Sequence, residues 1–210
     1  MKLLLLVLLF TPVFATANQI AEEEIQHAGL LPGDTDFLVA REAFRAGNTT
    51  RLDQAAARLK RSPLEPYVSY YQLRMRLETA DTVTIRAFLA RTDETPIIDK
   101  LRGEWLKLLG KRRQWSLFSE EFPHLLSEDT ELSCYAMQAL LQSHNKEALQ
   151  EARKLWLSSS NELPESCDPV LDVALAEDII TETDIEARVR LALEAGNTTL
   201  AAQLSRKLSG

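Results

Sequence analysis

The sequence is poor in the residues that build several kinds of site. It has two cysteines, three histidines, seven glycines and eight prolines among 210 residues. Two cysteines exclude a disulfide-dense mini-protein. So little Gly and Pro excludes a collagen-like or low-complexity chain. The 24 Lys and Arg are outnumbered by 31 Asp and Glu, the opposite of a nucleic-acid-binding balance. An acidic, aromatic-poor surface argues against nucleic acid and anionic lipid alike. The glycines never form G-x-G-x-x-G or G-x-x-x-x-G-K, and there is no G-x-S-x-G. No nucleotide loop or nucleophile elbow follows, and no cofactor is expected. His27, His124 and His144 lie far apart, in segments read as loops or tails, so no metal or catalytic role is assigned to them. What remains is 45% apolar residues, enough for a real core.

The amino terminus has the layout of an export signal. Met1-Lys2 is a short basic start, Leu3 to Phe10 is an unbroken apolar run, and Pro12 breaks it. Ala15 and Ala17 then supply small residues at the −3 and −1 positions of a cleavage site, so the mature chain is expected to begin at Asn18. The run is far shorter than the ~20 apolar residues of a membrane span. No later stretch is long enough either, so stable membrane insertion is not expected. Loss of Lys2 leaves the mature chain more acidic still. Export places Cys134 and Cys167 in an oxidising compartment where they can pair; two buried thiols are the alternative reading. A bridge from 134 to 167 is worth about 4 kcal/mol in the chain-entropy model. No His or further Cys stands at metal-ligand spacing beside them.

From residue 37 onward the apolar period is helical. Leu52, Ala55, Ala56 and Leu59 share a face, as do Leu64, Tyr67, Val68, Tyr71 and Met75. Ile98, Leu101, Trp105 and Leu108 make a third stripe, and Leu132, Tyr135, Ala136, Ala139 and Leu140 a fourth. Ala148, Leu149, Ala152, Leu155 and Trp156 make a fifth. Ile185, Val189, Ala192 and Leu193 precede Leu200, Ala201, Leu204 and Leu208. No alternating run of β-branched residues predicts a strand. The predicted breaks are short: Gly47-Asn48, Gly110, Ser143-His144-Asn145 and Gly196-Asn197. Glycine suits the left-handed residue that ends a helix, and Asn or Thr caps the next one. Connections this short force neighbours to run antiparallel.

Ala46-Gly47-Asn48-Thr49-Thr50 recurs as Ala195-Gly196-Asn197-Thr198-Thr199, and the flanking faces match as well. A repeated structural unit follows, stacked with its neighbours into a solenoid. Both pentapeptides contain a glycosylation sequon, but their place at a hairpin turn makes capping the better reading. The last stripe, Leu200, Leu204 and Leu208, reads as a face that another repeat, a partner or a further part of the same protein covers. Trp105, Trp115 and Trp156 could stack on sugar rings; at helical spacing among leucines they read first as core. Glu22-Glu23-Glu24 reads as a solvated segment, and Glu120-Glu121 as a helix end before Pro123.

Four segments, in order, carry a resemblance. They are Pro63-Leu64-Glu65-Pro66-Tyr67-Val68-Ser69-Tyr70, the cysteine pair Cys134 and Cys167 with Asp168, the helix from Glu147-Ala148 to Leu155-Trp156-Leu157, and Arg188 to Asn197. Over residues 38 to 208 the chain resembles the amino-terminal superhelical domain of the large soluble lytic murein transglycosylases, the peptidoglycan lytic exotransglycosylases. The resemblance implies periplasmic localisation and a part in cleaving the β-1,4 bond between N-acetylmuramic acid and N-acetylglucosamine to 1,6-anhydro products. It also implies partners: the linker and catalytic domains of a transglycosylase, and peptidoglycan glycan strands. The family's catalytic acid stands in a Glu-Ser-x-aromatic motif followed later by Gly-Leu-Met-Gln. Here Glu165-Ser166 is followed by Cys167-Asp168, and no Gly-Leu-Met-Gln occurs, so no catalytic residue is assigned. Whether the chain counts as an enzyme is left open. The expected fold class is all-α, a right-handed superhelix or solenoid of antiparallel αα-hairpins preceded by a cleavable signal peptide. The expected divisions are 1–17 signal, 18–36 extension and 37–210 superhelical domain, incomplete at its carboxy end. The rival is a stand-alone periplasmic scaffold of tetratricopeptide-like hairpins that binds another protein; an independent glycosidase using Glu165 is a remote third.

Overall fold

The computed structural model describes residues 33–91 and 96–208. The cleavage positions Ala15, Ala17 and Asn18, and also His27, lie outside the described residues. Among the described residues there are eleven α-helices, two single-turn 3-10 helices and no strand. The chain forms two compact units, one ending at Met75 and one beginning at Arg76.

The first unit contains α1 (Asp34–Arg45), α2 (Thr49–Arg58) and α3 (Glu65–Met75). Asp34 and Asp36 sit in the first turn of α1, where a carboxylate opposes the helix dipole. The turn between α1 and α2 uses two residues. Gly47 takes φ 67°, its N–H donates to the Phe44 carbonyl at 3.1 Å, and the Asn48 N–H donates to the Ala43 carbonyl at 2.8 Å. This crossed pair is the Schellman motif. The Asn48 side chain then accepts the Arg51 N–H at 2.9 Å and opens α2. The reversal packs Ala40 and Ala43 against Leu52, Ala55 and Leu59, with Val68 from α3 completing the core. Around it Phe44 stacks on Tyr71 with ring centroids 4.5 Å apart, and Tyr71 also faces Phe37 at 6.1 Å. On α3 the buried aromatic is Tyr70, while Tyr67 and Tyr71 are half-buried.

The second unit contains α4 (Thr82–Leu89), α5 (Pro96–Lys111), α6 (Trp115–Glu121) and a 3-10 turn (Phe122–His124). It continues with α7 (Thr130–Gln142), α8 (Glu147–Ser158), a 3-10 turn (Glu165–Cys167), α9 (Asp168–Ala176), α10 (Glu182–Glu194) and α11 (Thr198–Ser205). Within it α4–α5, α5–α6, α6–α7, α7–α8, α8–α9 and α10–α11 pack as sequential pairs, and α5–α7, α7–α9 and α8–α10 pack one helix apart. Contact with the next and the next-but-one element is the arrangement of a helical solenoid.

The Schellman turn recurs four times here. Its left-handed residue is Arg113 (φ 55°), His144 (φ 60°), Asp178 (φ 54°) and Gly196 (φ 77°). In each case the following residue reaches back to the more distant carbonyl: Gln114 to Leu109, Asn145 to Leu140, Ile179 to Ala174 and Asn197 to Ala192. Gly196 and Asn197 reproduce Gly47 and Asn48, including the side-chain cap on Leu200 at 3.1 Å. Three turns are therefore made without glycine, at a local cost of about 1 kcal/mol each.

The predicted break at Gly110 is displaced. Helix α5 continues through it and turns three residues later, at Arg113. Gly110 is buried, and a Cβ placed on it would overlap the Tyr135 ring of α7. Its role is close approach of two helices, not chain reversal. The stripe of α5 is rotated accordingly, with Ile97, Leu101, Trp105 and Leu109 buried. Helix α7 is buried on more than one side: Cys134 and Met137 are inside along with Leu132, Tyr135 and Ala139, while Leu140 is exposed. Cys134 bridges to Cys167 with their Cα atoms 4.8 Å apart, both residues fully buried.

Two substitutions test these turns and contacts. Gly110→Ala is expected to destabilise by about 1–3 kcal/mol through overpacking against Tyr135, read as a lower urea midpoint at unchanged slope. Arg113→Gly is expected to raise stability by about 0.5–1 kcal/mol by relieving the left-handed strain, in the same assay.

Candidate functional site

A strap, residues 159–167, joins α8 to α9 in the second unit. Its far end is fixed to α7 by the disulfide and by two hydrogen bonds. Gln138 Nε2 donates to the Ser166 carbonyl at 2.6 Å, and Ser166 Oγ donates to the Glu131 carbonyl at 3.2 Å. Its near end turns three backbone carbonyls toward α10 and α11. Arg188 Nε and Nη2 donate to Ser159 and Asn161, at 3.2 and 2.9 Å. Asn197 Nδ2 donates to Ser160 at 3.3 Å. Asn197 thus serves two functions, capping α11 and holding the strap.

Beneath the strap is a cavity of about 350 Å³. Trp156 comes to it from α8, Leu171 from α9, Arg188 from α10, and Leu204 and Lys207 from α11 and the residues after it. The Arg188 guanidinium stacks on the Trp156 ring, its Cζ 3.9 Å from the centroid, with Lys207 Nζ at 5.9 Å. Arg188 is 2% exposed, and burial pushes its guanidinium down to about 10. Glu165 opens a 3-10 turn at the cavity's edge and is exposed, and Ser166 beside it is buried.

A second cavity, of about 420 Å³, lies beside the His144 turn, between Gln138, Lys146, Val173 and Glu177. Its charges are closed on themselves, since Lys146 Nζ binds Glu177 at 2.7 Å, and Gln138 is committed to the strap. His124 lies in the other 3-10 turn, distant in sequence and unassociated with either cavity's lining.

Two buried carboxylates were not singled out as sites from the sequence. Glu121 is 6% exposed, and both its oxygens are taken: Oε1 by Arg86 and Oε2 by Arg102, each at 2.7 Å. This ties α6 to α4 and α5. Asp184 is equally buried and accepts a bidentate pair from Arg153, at 2.8 and 2.9 Å. It also accepts the Thr181 N–H at 2.9 Å in a reciprocal capping box at the start of α10. The Arg153 guanidinium, with help from Thr181, holds the Asp184 carboxyl down at about 2. Thr181-x-x-Asp184 was a readable capping signal. Arg188 was readable only as a polar residue on the apolar stripe of Ile185 and Ala192. The tryptophans divide: Trp105 and Trp156 are buried and Trp115 is partly exposed. Among the described residues no group of three or more His, Cys, Asp or Glu is placed to hold a metal ion, and no helix is long and apolar enough to cross a membrane.

The structure defines a class: an all-α array of short-linked helical hairpins, with its buried acids locked in ion pairs. No protein-family model matches the chain. The chain is homologous to a segment of the soluble lytic murein transglycosylases. It is 30% identical over 158 residues to the soluble lytic murein transglycosylase of Escherichia coli K12, covering 73% of this chain and 24% of that one. The Salmonella typhimurium protein of the same name is 28% identical over the same shares. Among solved structures, an inactive mutant of the lytic transglycosylase Slt of Pseudomonas aeruginosa superposes with TM-score 0.70 at 30% identity, over 82% of this chain and 28% of that one. The 70 kDa soluble lytic transglycosylase of Escherichia coli gives TM-score 0.71 at 26% identity, over 84% and 28%. The chain spans about a quarter of the length of the curated relatives it matches.

The Asp184 contact predicts a pH signature. Its folded-state value is depressed from 3.8 to about 2, so its contribution is fully present above pH ~4 and is lost as pH falls through about 2. Asp184→Asn is expected to cost about 1–2 kcal/mol near pH 7, allowing for solvent at Arg153. The gap between mutant and parent urea midpoints is expected to narrow as pH falls from 5 to 2.

Proposed function

We propose that the chain is the non-catalytic, amino-terminal superhelical part of a periplasmic lytic murein transglycosylase. On this reading it is exported by residues 1–17, carries an extension over 18–36, and forms a wall from 37 onward. That wall positions a glycan strand for a catalytic domain outside this sequence. The observation that supports it most is the fold match, which takes in more than four-fifths of this chain but 28% of each transglycosylase. The chemistry agrees. Lytic cleavage needs one carboxyl that donates and then accepts a proton in a cleft. Glu121 and Asp184, the buried acids here, are each clamped by arginine. Glu165, the residue of the one Glu-Ser pair, is exposed.

The test is direct. Peptidoglycan sacculi incubated with the chain from Asn18 onward are expected to yield no 1,6-anhydromuropeptides by mass spectrometry; their release would place an active site within this chain. Sequencing beyond Gly210 is expected to show an in-frame Glu-Ser-x-aromatic segment or a companion gene that carries one. A stop codon with neither would favour the stand-alone scaffold.

A further inference from the structure

A buried charge is costly unless a counter-charge or hydrogen bonds satisfy it. Glu121 and Asp184 meet this rule with arginine partners. Arg188 does not. Among the described residues it has no carboxylate within ion-pairing distance, and only its Nε and Nη2 have hydrogen-bond acceptors, both backbone carbonyls. The ring it stacks on carries an unsatisfied donor of its own: Trp156 is 4% exposed, and its Nε1 is buried with no acceptor. Lys207 adds a second cation to the same ring. All three line one cavity of about 350 Å³, within the range of small-molecule sites. Its exposed rim carries Lys207 and, outnumbering it, three acids. Glu162, Glu165 and Asp168 also line it, all exposed, and none is held in an ion pair.

We propose that this cavity binds a small zwitterion, with its carboxylate on Arg188 beside the Trp156 ring and its ammonium toward Glu162, Glu165 and Asp168. The charge pattern selects this class. A simple anion would meet three carboxylates at the entrance, and a simple cation would meet Arg188 inside. A guanidinium fork is also the group best shaped for a carboxylate. The leucine walls, among them Leu171 and Leu204, leave room for a short aliphatic body. A free amino acid and the end of a short peptide share this chemistry. The inference does not depend on the role proposed above.

The test is an NMR titration of the isotope-labelled chain from Asn18 onward, following the three tryptophan indole N–H signals. The probes are alanine, alanyl-alanine, alanyl-alanine amide and N-acetyl-alanyl-alanine. A saturable shift of the Trp156 signal is expected with alanine or alanyl-alanine, and which of the two binds tighter identifies amino acid or peptide as the ligand. Blocking either end is expected to weaken binding at least about tenfold. Lys207→Met and Glu165→Gln, both at exposed positions, are expected to weaken it about two- to fivefold each with unchanged thermal unfolding. Arg188→Lys keeps the charge but loses the fork, and is expected to abolish saturation. No Trp156 shift with any probe would leave Arg188 as a strap anchor only and overturn the proposal. Equal binding of the amide or the acetylated probe would overturn the zwitterion assignment.

Discussion

The structure depends on a crossed pair of backbone hydrogen bonds around one left-handed residue. Each Schellman turn satisfies two carbonyls that a helix end would otherwise leave open, and reverses the chain within a few residues. At Gly47-Asn48 and Gly196-Asn197 the economy is greatest, because the asparagine that closes the first helix also caps the second. So short a link cannot let two helices diverge. They must lie side by side, and their apolar faces must meet. The same turn at Arg113, His144 and Asp178 shows that the fold requires the conformation more than it requires glycine.

Stacking then decides which residues are buried. A helix at the end of a row has one neighbour and needs one stripe. A helix in the middle has neighbours on two sides. Helix α7 touches α5, α6, α8 and α9, so Cys134 and Met137 are as buried as the stripe on its other side. The disulfide uses that depth. It joins the most enclosed helix to a strap that would otherwise be held only by a few hydrogen bonds, and so fixes the carbonyls that face Arg188.

This explains what the sequence disclosed. Helix content, hairpin order and the glycine turns were legible because each depends on local spacing. So was Trp156 as a core residue, through its place on the stripe of Ala148, Leu149 and Ala152. The displaced break at Gly110 was not legible. A buried glycine at a helix crossing and a glycine at a turn look alike until the facing Tyr135 is known. Arg113 and Asp178 were invisible as turns because L-residues rarely take φ near 55°. Leu193 looked like core and is 53% exposed, because the buried face of α10 is set by Ile185, Arg188 and Ala192. The ion pairs join residues as far apart as 86 and 121, or 153 and 184, and periodicity carries no information at that range.

The buried charges show how such an array keeps its register. Apolar faces specify alignment through shape alone, and a leucine face can recover part of its packing at a shifted register. A carboxylate with an arginine on each oxygen cannot. Moving α6 by one turn would strand Glu121 in an apolar layer without Arg86 or Arg102, and moving α8 would do the same to Asp184. Such pairs add little net stability over a well-packed apolar contact, but they penalise every other alignment. Arg188 belongs to the same layer of α10 as Asp184, yet its partners are main-chain carbonyls and an indole face, which neutralise nothing. Carbonyls held by a disulfide-tethered strap also constrain the position of α10. They leave Arg188 without an ion-pair partner beside an open cavity, and in the binding proposed above that is the charge a ligand carboxylate would meet.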